Sequence, residues 1–298
     1  MSHNPNKPVE LSNDEKALLV EKKATCPFIG SAVAQGKLAV RNNANNPLAS
    51  IEDVRRLGNT GGGDLGDLLV LFASGNHALM RSDSGKLDKP VPSGLFSLEF
   101  PGSQGSHPGH SGILQEDPEI PGSGRLSEGD FARLTSRAKD GWIKRSDVGR
   151  FIAENLLKDP KSKVFEKNTA ALLANDVFEF VETTGSALMS KLSRSDEEAR
   201  TTHRDIEEKL TKLLGEDNLV GSAGEFGLLF AFLANKPGAK EVGGEPAVAV
   251  QDLKAMFVDK HLPDGWETWK KLRIDWVRNT TVLLISAGKE YRILRQTR

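Results

Sequence analysis

The chain holds one cysteine, Cys26, and a proline follows it directly. A thiolate is the most reactive ligand and nucleophile that a side chain offers. A lone thiol forms no internal disulfide, so it serves either packing or chemistry. Pro27 removes a backbone N–H and turns the chain, which lets the sulfur project from a loop or a helix start. There the helix dipole and amide hydrogen bonds stabilise negative charge. Such a thiolate suits an axial haem ligand. The competing reading is an inert buried thiol, because free cysteine is among the most buried residue types.

Two acidic tetrapeptides carry other chemistry. Ser127-Glu128-Gly129-Asp130 reads as a capping box, with Asp130 in place of the usual Glu or Gln. The same residues offer a carboxylate and a free carbonyl to a hard cation. Ser222-Ala223-Gly224-Glu225 also fits a capping box. Glu225, however, leads into an unusually apolar segment, FGLLFAFLAN. A carboxyl against an apolar wall has a raised pKa and can move protons. His107 and His110 are split by Pro108-Gly109 and have no evident third ligand, so a zinc site is not expected. Gly61, Gly62 and Gly63 lack the Walker lysine and the Rossmann spacing. The charged run SRSDEEARTTHRDIEEKL reads as a solvated helix face.

The elements that would position these residues are mostly helical. Short helices are expected over Asp14–Lys23, around Cys26 as far as Gly36, and over Ala49–Leu57 with Ser50 as N-cap. A buried helix is expected over 64–80. Residues 81–125 carry no helical period and read as one long Gly/Pro/Ser-rich loop. Further helices are expected from Ser127 to about Lys139, and over 147–157, 164–192, 195–214, 222–235 and 249–260. The run TTVLLIS near the C-terminus is β-like. The expectation is a mainly α, single-domain protein with little β. Residues 1–23 form a polar lead, 24–266 the domain, and 267–298 a C-terminal extension packed on it.

Bulk composition excludes several classes. With 40 basic and 41 acidic residues the net charge is −1. No global field favours nucleic acid or an anionic membrane. Hydrophobic residues make up 38% and charged residues 27%, which suits a soluble globular chain of 298 residues. No apolar run approaches the roughly 20 residues of a membrane span. The polar N-terminus and the single cysteine point to a reducing, cytoplasmic setting.

Taken in order, the motifs resemble the haem-thiolate peroxidases of the chloroperoxidase and unspecific peroxygenase family. Cys26-Pro27 is followed after eight residues by Gly36-Lys37-Leu38, with Arg41 just beyond. Next comes the apolar segment from Asp67 to His77. Then come Glu128-Gly129-Asp130 and Leu134-Thr135-Ser136-Arg137. Finally Gly224-Glu225 opens an apolar segment, and Leu262-Pro263 lies further on. The likeness spans residues 24–266.

The resemblance implies a haem b enzyme that uses hydrogen peroxide to oxidise, oxygenate or halogenate a small organic substrate. Cys26 would be the proximal thiolate and Glu225 the distal acid–base carboxylate. Glu128 and Gly129 match positions that hold magnesium against a haem propionate. The family assists its distal Glu with a His or an Arg, at positions where this chain has Gly129 and Asn218. Assistance would then come from elsewhere, with His107 and His110 as candidates. The family's Ser ligand aligns with Arg133, whose guanidinium can grip a carboxylate without a metal. Arg133 is therefore expected to replace magnesium at the propionate. Phe72, Phe226 and Phe230 are candidate pocket walls, with core packing equally open to each. The alternative is a haem-binding sensor or carrier without oxygen transfer. A third possibility is a helical interaction protein without haem.

Overall fold

Ser12 starts the first helix, α1 (Asn13–Lys22), through a complete capping box. Its Oγ accepts from the Glu15 N–H at 3.2 Å, and the Glu15 carboxylate accepts from the Ser12 N–H at 2.8 Å. This is a computed structural model, and it describes residues 7–24, 26–58, 79–99, 114, 126–159, 164 and 218–297. Leu19 and Val20 bury one face of α1. The next helix, α2 (Pro27–Ala34), is apolar apart from Ser31, and residues 28–33 are all buried. Gly36 stops it with φ of 68°, a left-handed conformation that glycine takes without strain. Within α2, a Cβ at Gly30 would stand 2.5 Å from the Ala24 carbonyl oxygen. Only glycine allows the chain before α2 to pass this close.

Two strands follow, β1 (Arg41–Asn42) and β2 (Pro47–Ser50), and then α3 (Ile51–Leu57). Ser50 caps α3 as expected, accepting from the Asp53 N–H at 3.4 Å. Beyond it lie β3 (Leu79–Arg81), β4 (Leu87–Pro90) and β5 (Leu95–Ser97). The later elements are α4 (Glu128–Thr135), β6 (Trp142–Lys144), α5 (Arg145–Lys158) and α6 (Asn218–Leu233). The chain then runs through β7 (Glu241–Val242), β8 (Glu245–Ala249) and α7 (Val250–Phe257) to α8 (Arg273–Gln296). Sheet orders are β1-β2-β5, β3-β4 and β6-β8-β7, and every pairing is antiparallel.

The described residues therefore form a mixed structure, helices with three small antiparallel sheets, rather than an almost purely helical one. Two corrections account for this. Residues 81–99, expected as loop, contain β4 and β5, and β3 pairs with β4 across a turn at Gly85, φ 79°. Leu79 and Met80, expected at the end of a helix, lie in β3. The rest of the helix expected over 64–80 lies outside the described residues. So do those expected over 165–192 and 195–214, and the rest of the loop apart from Leu114.

The third correction runs the other way. The β-like TTVLLIS is part of α8. Trp276, Asn279, Thr280, Leu283, Leu284 and Ala287 are its buried positions among the described residues, a helical and not an alternating period. The stripe packs α8 on α5 and α6. Glycines set the closeness of this contact. A Cβ at Gly227 of α6 would come within 2.9 Å of the Thr280 backbone, and one at Gly149 of α5 within 2.5 Å of the Ser286 Oγ.

The same core continues under α2. Phe28 stacks at 5.0 Å from Phe232 and 5.3 Å from Trp266, and Trp266 meets Trp269 edge-on at 5.5 Å. Lys271 is fully buried here. Its ammonium donates to the Trp266 and Trp269 carbonyls and lies 4.2 Å from each indole ring. No helix among the described residues is long and apolar enough to cross a membrane.

Candidate functional site

Cys26 is the N-cap residue of α2, with Pro27 at the first helical position. Its carbonyl accepts from the Gly30 N–H at 2.7 Å, so the helix begins at the cysteine itself. This geometry turns the Ile29 and Phe28 amides toward the sulfur, where both favour the thiolate. Neither reaches full capping hydrogen-bond geometry. Burial opposes them, and the charge of Glu225 adds to burial. Together these push the thiol up to about 11. Without a bound cation the sulfur therefore carries its proton at neutral pH.

Glu225 lies in the middle of α6, not at its start. The expected capping role of Ser222 fails for the same reason. Ser222 is inside the helix, and its Oγ donates back to the Asn218 carbonyl at 2.6 Å. Burial alone pushes the Glu225 carboxyl up to about 7. Protein surrounds both Cys26 and Glu225, yet each keeps partial solvent-accessible surface.

A third group joins them. Lys260 follows α7 at φ 52° and is half-buried. Its ammonium interacts with the Cys26 sulfur, while burial lowers its own pKa. Sequence reasoning missed it. A lysine just past a helix C-terminus reads as a partner of the helix dipole, and nothing local links it to residue 26.

The motif at 127–130 behaves as a cap. The Ser127 Oγ accepts from the Asp130 N–H at 3.3 Å. Asp130 pairs instead with Arg133 at 2.8 Å, so the reciprocal half of the box is replaced by an ion pair. Glu128 and Gly129 are exposed on the first turn of α4. Arg133 is heavily engaged. It also donates to Glu154 at 2.7 Å and to Asn155, and its guanidinium lies 4.4 Å from the Phe151 ring. Its Nε is buried without a partner, as is that of Arg137. Phe151 in turn meets Phe226 edge-on at 6.0 Å, next to Glu225 in the chain. One packed line thus joins the Arg133 cluster to α6. Phe226 and Phe230 are both core residues. His107, His110 and Phe72 lie outside the described residues.

Neither of the expected helper positions is built for the task. Gly129 has no side chain to offer. Asn218 is buried at the start of α6, seven residues before Glu225. Two helical turns put it roughly 10 Å away along the axis.

These residues fit a thiolate-bound haem in three respects. Cys26 sits where amide dipoles favour the thiolate, Glu225 is the carboxyl that shares its surroundings, and the Arg133 Nε is a buried donor still without an acceptor. Among the described residues no group of three or more His, Cys, Asp or Glu could hold a metal ion. An axial thiolate needs no such group. Comparison with protein families, curated proteins and solved structures finds no match for this chain.

Proposed function

We propose that the chain is a haem-thiolate enzyme that uses hydrogen peroxide to oxidise or oxygenate a small organic substrate. The observation that carries this reading is that Cys26 and Glu225, far apart in sequence, are both enclosed by protein and near enough for the Glu225 charge to act on the Cys26 thiol. The ordered motifs from Cys26-Pro27 to Leu262-Pro263 support it independently.

A thiolate-ligated haem supplies the electron donation that favours O–O cleavage. The chain's own residues do the rest. Cys26 would hold the iron as its thiolate, with the Ile29 and Phe28 amides favouring that charge. Glu225, near pH 7 at its midpoint, holds or releases a proton under working conditions, which is the optimum for a general acid–base group. Arg133 would offer its Nε to a propionate, its other nitrogens being held by Asp130, Glu154 and Asn155. Glu128 and the Gly129 carbonyl are the alternative seat, through magnesium. A stoichiometric divalent ion at Glu128 in the purified holoprotein would decide for magnesium and against Arg133. A single cysteine suits the reducing cytoplasm as the setting.

The state of Gly129 and Asn218 favours a second reading, a haem-binding sensor or carrier. Peroxide-driven turnover of a generic aromatic donor separates the two. The enzyme reading expects Glu225→Gln to lower the rate about 100-fold with haem content unchanged. Equal rates would remove Glu225 from proton transfer and favour the sensor.

A further inference from the structure

Three buried helix glycines have a packing reason to be glycine. A Cβ at Gly30 would stand 2.5 Å from the Ala24 carbonyl oxygen, one at Gly149 2.5 Å from the Ser286 Oγ, and one at Gly227 2.9 Å from the Thr280 backbone. Gly224 is buried in α6 as well, yet has no such reason. Its own helix backbone and chain neighbours aside, a Cβ there would meet nothing among the described residues within 4 Å. A methyl group would fit, and alanine is the better residue in a helix interior. Close-packed interiors do not leave such a space by default.

The space lies on the open side of α6. Glu225 and Leu228 are the two of its 16 residues that are not buried. At about 100° per residue, Leu228 projects about 40° around the helix from Gly224, and Glu225 about 100°. The three therefore share one side. Movement of the backbone cannot close the space. The Trp276 Nε1 donates to the Gly224 carbonyl at 3.1 Å, and the Thr280 backbone abuts Gly227. The result is a fixed hollow beside the one carboxyl of an otherwise apolar helix.

We propose that Gly224 keeps a ligand seat open beside Glu225, sized for a methyl group or the edge of an aromatic ring. An apolar group suits it, because Leu228 lies on the same side and the Trp276 indole is spent on the Gly224 carbonyl. On the haem-thiolate reading, which this inference deepens, the seat takes the apolar end of the substrate. Gly224 then sets how large that end can be.

The test uses the full chain, with benzene as the probe, since apolar cavities stay dry and take up such ligands. Without haem, saturating benzene is expected to raise the thermal midpoint of the native chain by about 1 °C or more, and that of Gly224→Leu not at all. Gly224→Ala is expected to keep or raise the denaturant midpoint and to weaken benzene binding about threefold or more. It replaces Gly224→Leu if that variant fails to fold. No response in the native chain, an equal response in the variants, or a lower denaturant midpoint in Gly224→Ala overturns the inference, whatever haem does. In the haem-loaded protein the Soret shift reads the binding of imidazole and of phenylimidazole. Gly224→Leu is expected to weaken phenylimidazole about tenfold and to leave imidazole within about twofold. Unchanged affinity for phenylimidazole would deny the seat to the substrate. If benzene binds as expected but no thiolate haem spectrum forms, the seat stands and the haem reading fails.

Discussion

The carboxylate of Glu225 in α6 raises the cost of ionising the Cys26 thiol at the start of α2. The two groups lie on different helices, and each is enclosed by protein. Removing one charge must therefore show in the other group's chemistry. Glu225→Gln is expected to speed iodoacetamide labelling of Cys26 by about threefold or more at pH 8.5, where the native carboxyl is ionised. Identical labelling rates would mean that the Glu225 charge does not act on the Cys26 thiol.

Glu225 also makes stability depend on pH, with a definite sign. An unfolded glutamate titrates near about 4.3. In the fold it titrates at about 7, so the native state binds the proton more tightly. The resulting stabilisation is complete in acid below about pH 4 and is lost as pH rises through about 7. The loss is at most about 4 kcal/mol. Urea unfolding from pH 4 to 8 should show the native chain losing stability relative to Glu225→Gln across that window. A difference that does not vary with pH would place the carboxyl in water.

Two serines with the same motif should respond differently. Ser127 caps α4, and Ser127→Ala is expected to cost about 1 kcal/mol. Ser222 lies inside α6, so Ser222→Ala should change stability by less than about 0.5 kcal/mol. Denaturant midpoints for both variants check this, and equal costs would contradict the assignment of Ser222 to a helix interior.

The contact between α6 and α8 rests on a missing side chain. At Gly227 an added methyl would meet the Thr280 backbone at 2.9 Å, which no rotamer change relieves. Gly227→Ala is expected to cost about 2–3 kcal/mol, with no recovery in Gly227→Ala/Thr280→Ala. Recovery in the double variant would show that only the threonine hydroxyl was in the way.

Local rules made much of this legible. Ser12 and Ser50 start helices, Cys26-Pro27 opens α2, and Gly36 closes it, because caps and left-handed stops are set by neighbouring residues. The errors share a cause, a window that was too short. TTVLLIS holds an unbroken apolar stretch from Val282 to Ile285, so its period emerges only when Trp276 and Ala287 are included. Ser222-x-x-Glu225 matches a capping box, but the helix had already begun at Asn218. Asp83-Ser84-Gly85 is a readable turn, yet β3 and β4 are too short for their alternation to stand out. At the site, Cys26 and Glu225 were accessible through their unusual settings. Lys260 was not, because its meaning comes from hydrogen bonds that join α2 to a turn distant in sequence.

The central claim is that Cys26 is an iron ligand. The most direct test is the spectrum of the purified, haem-supplemented protein, reduced and exposed to carbon monoxide. The account predicts the strongly red-shifted Soret band of thiolate-ligated ferrous haem, lost in Cys26→Ala. Absence of that band in the native chain, or its persistence in Cys26→Ala, would contradict the account.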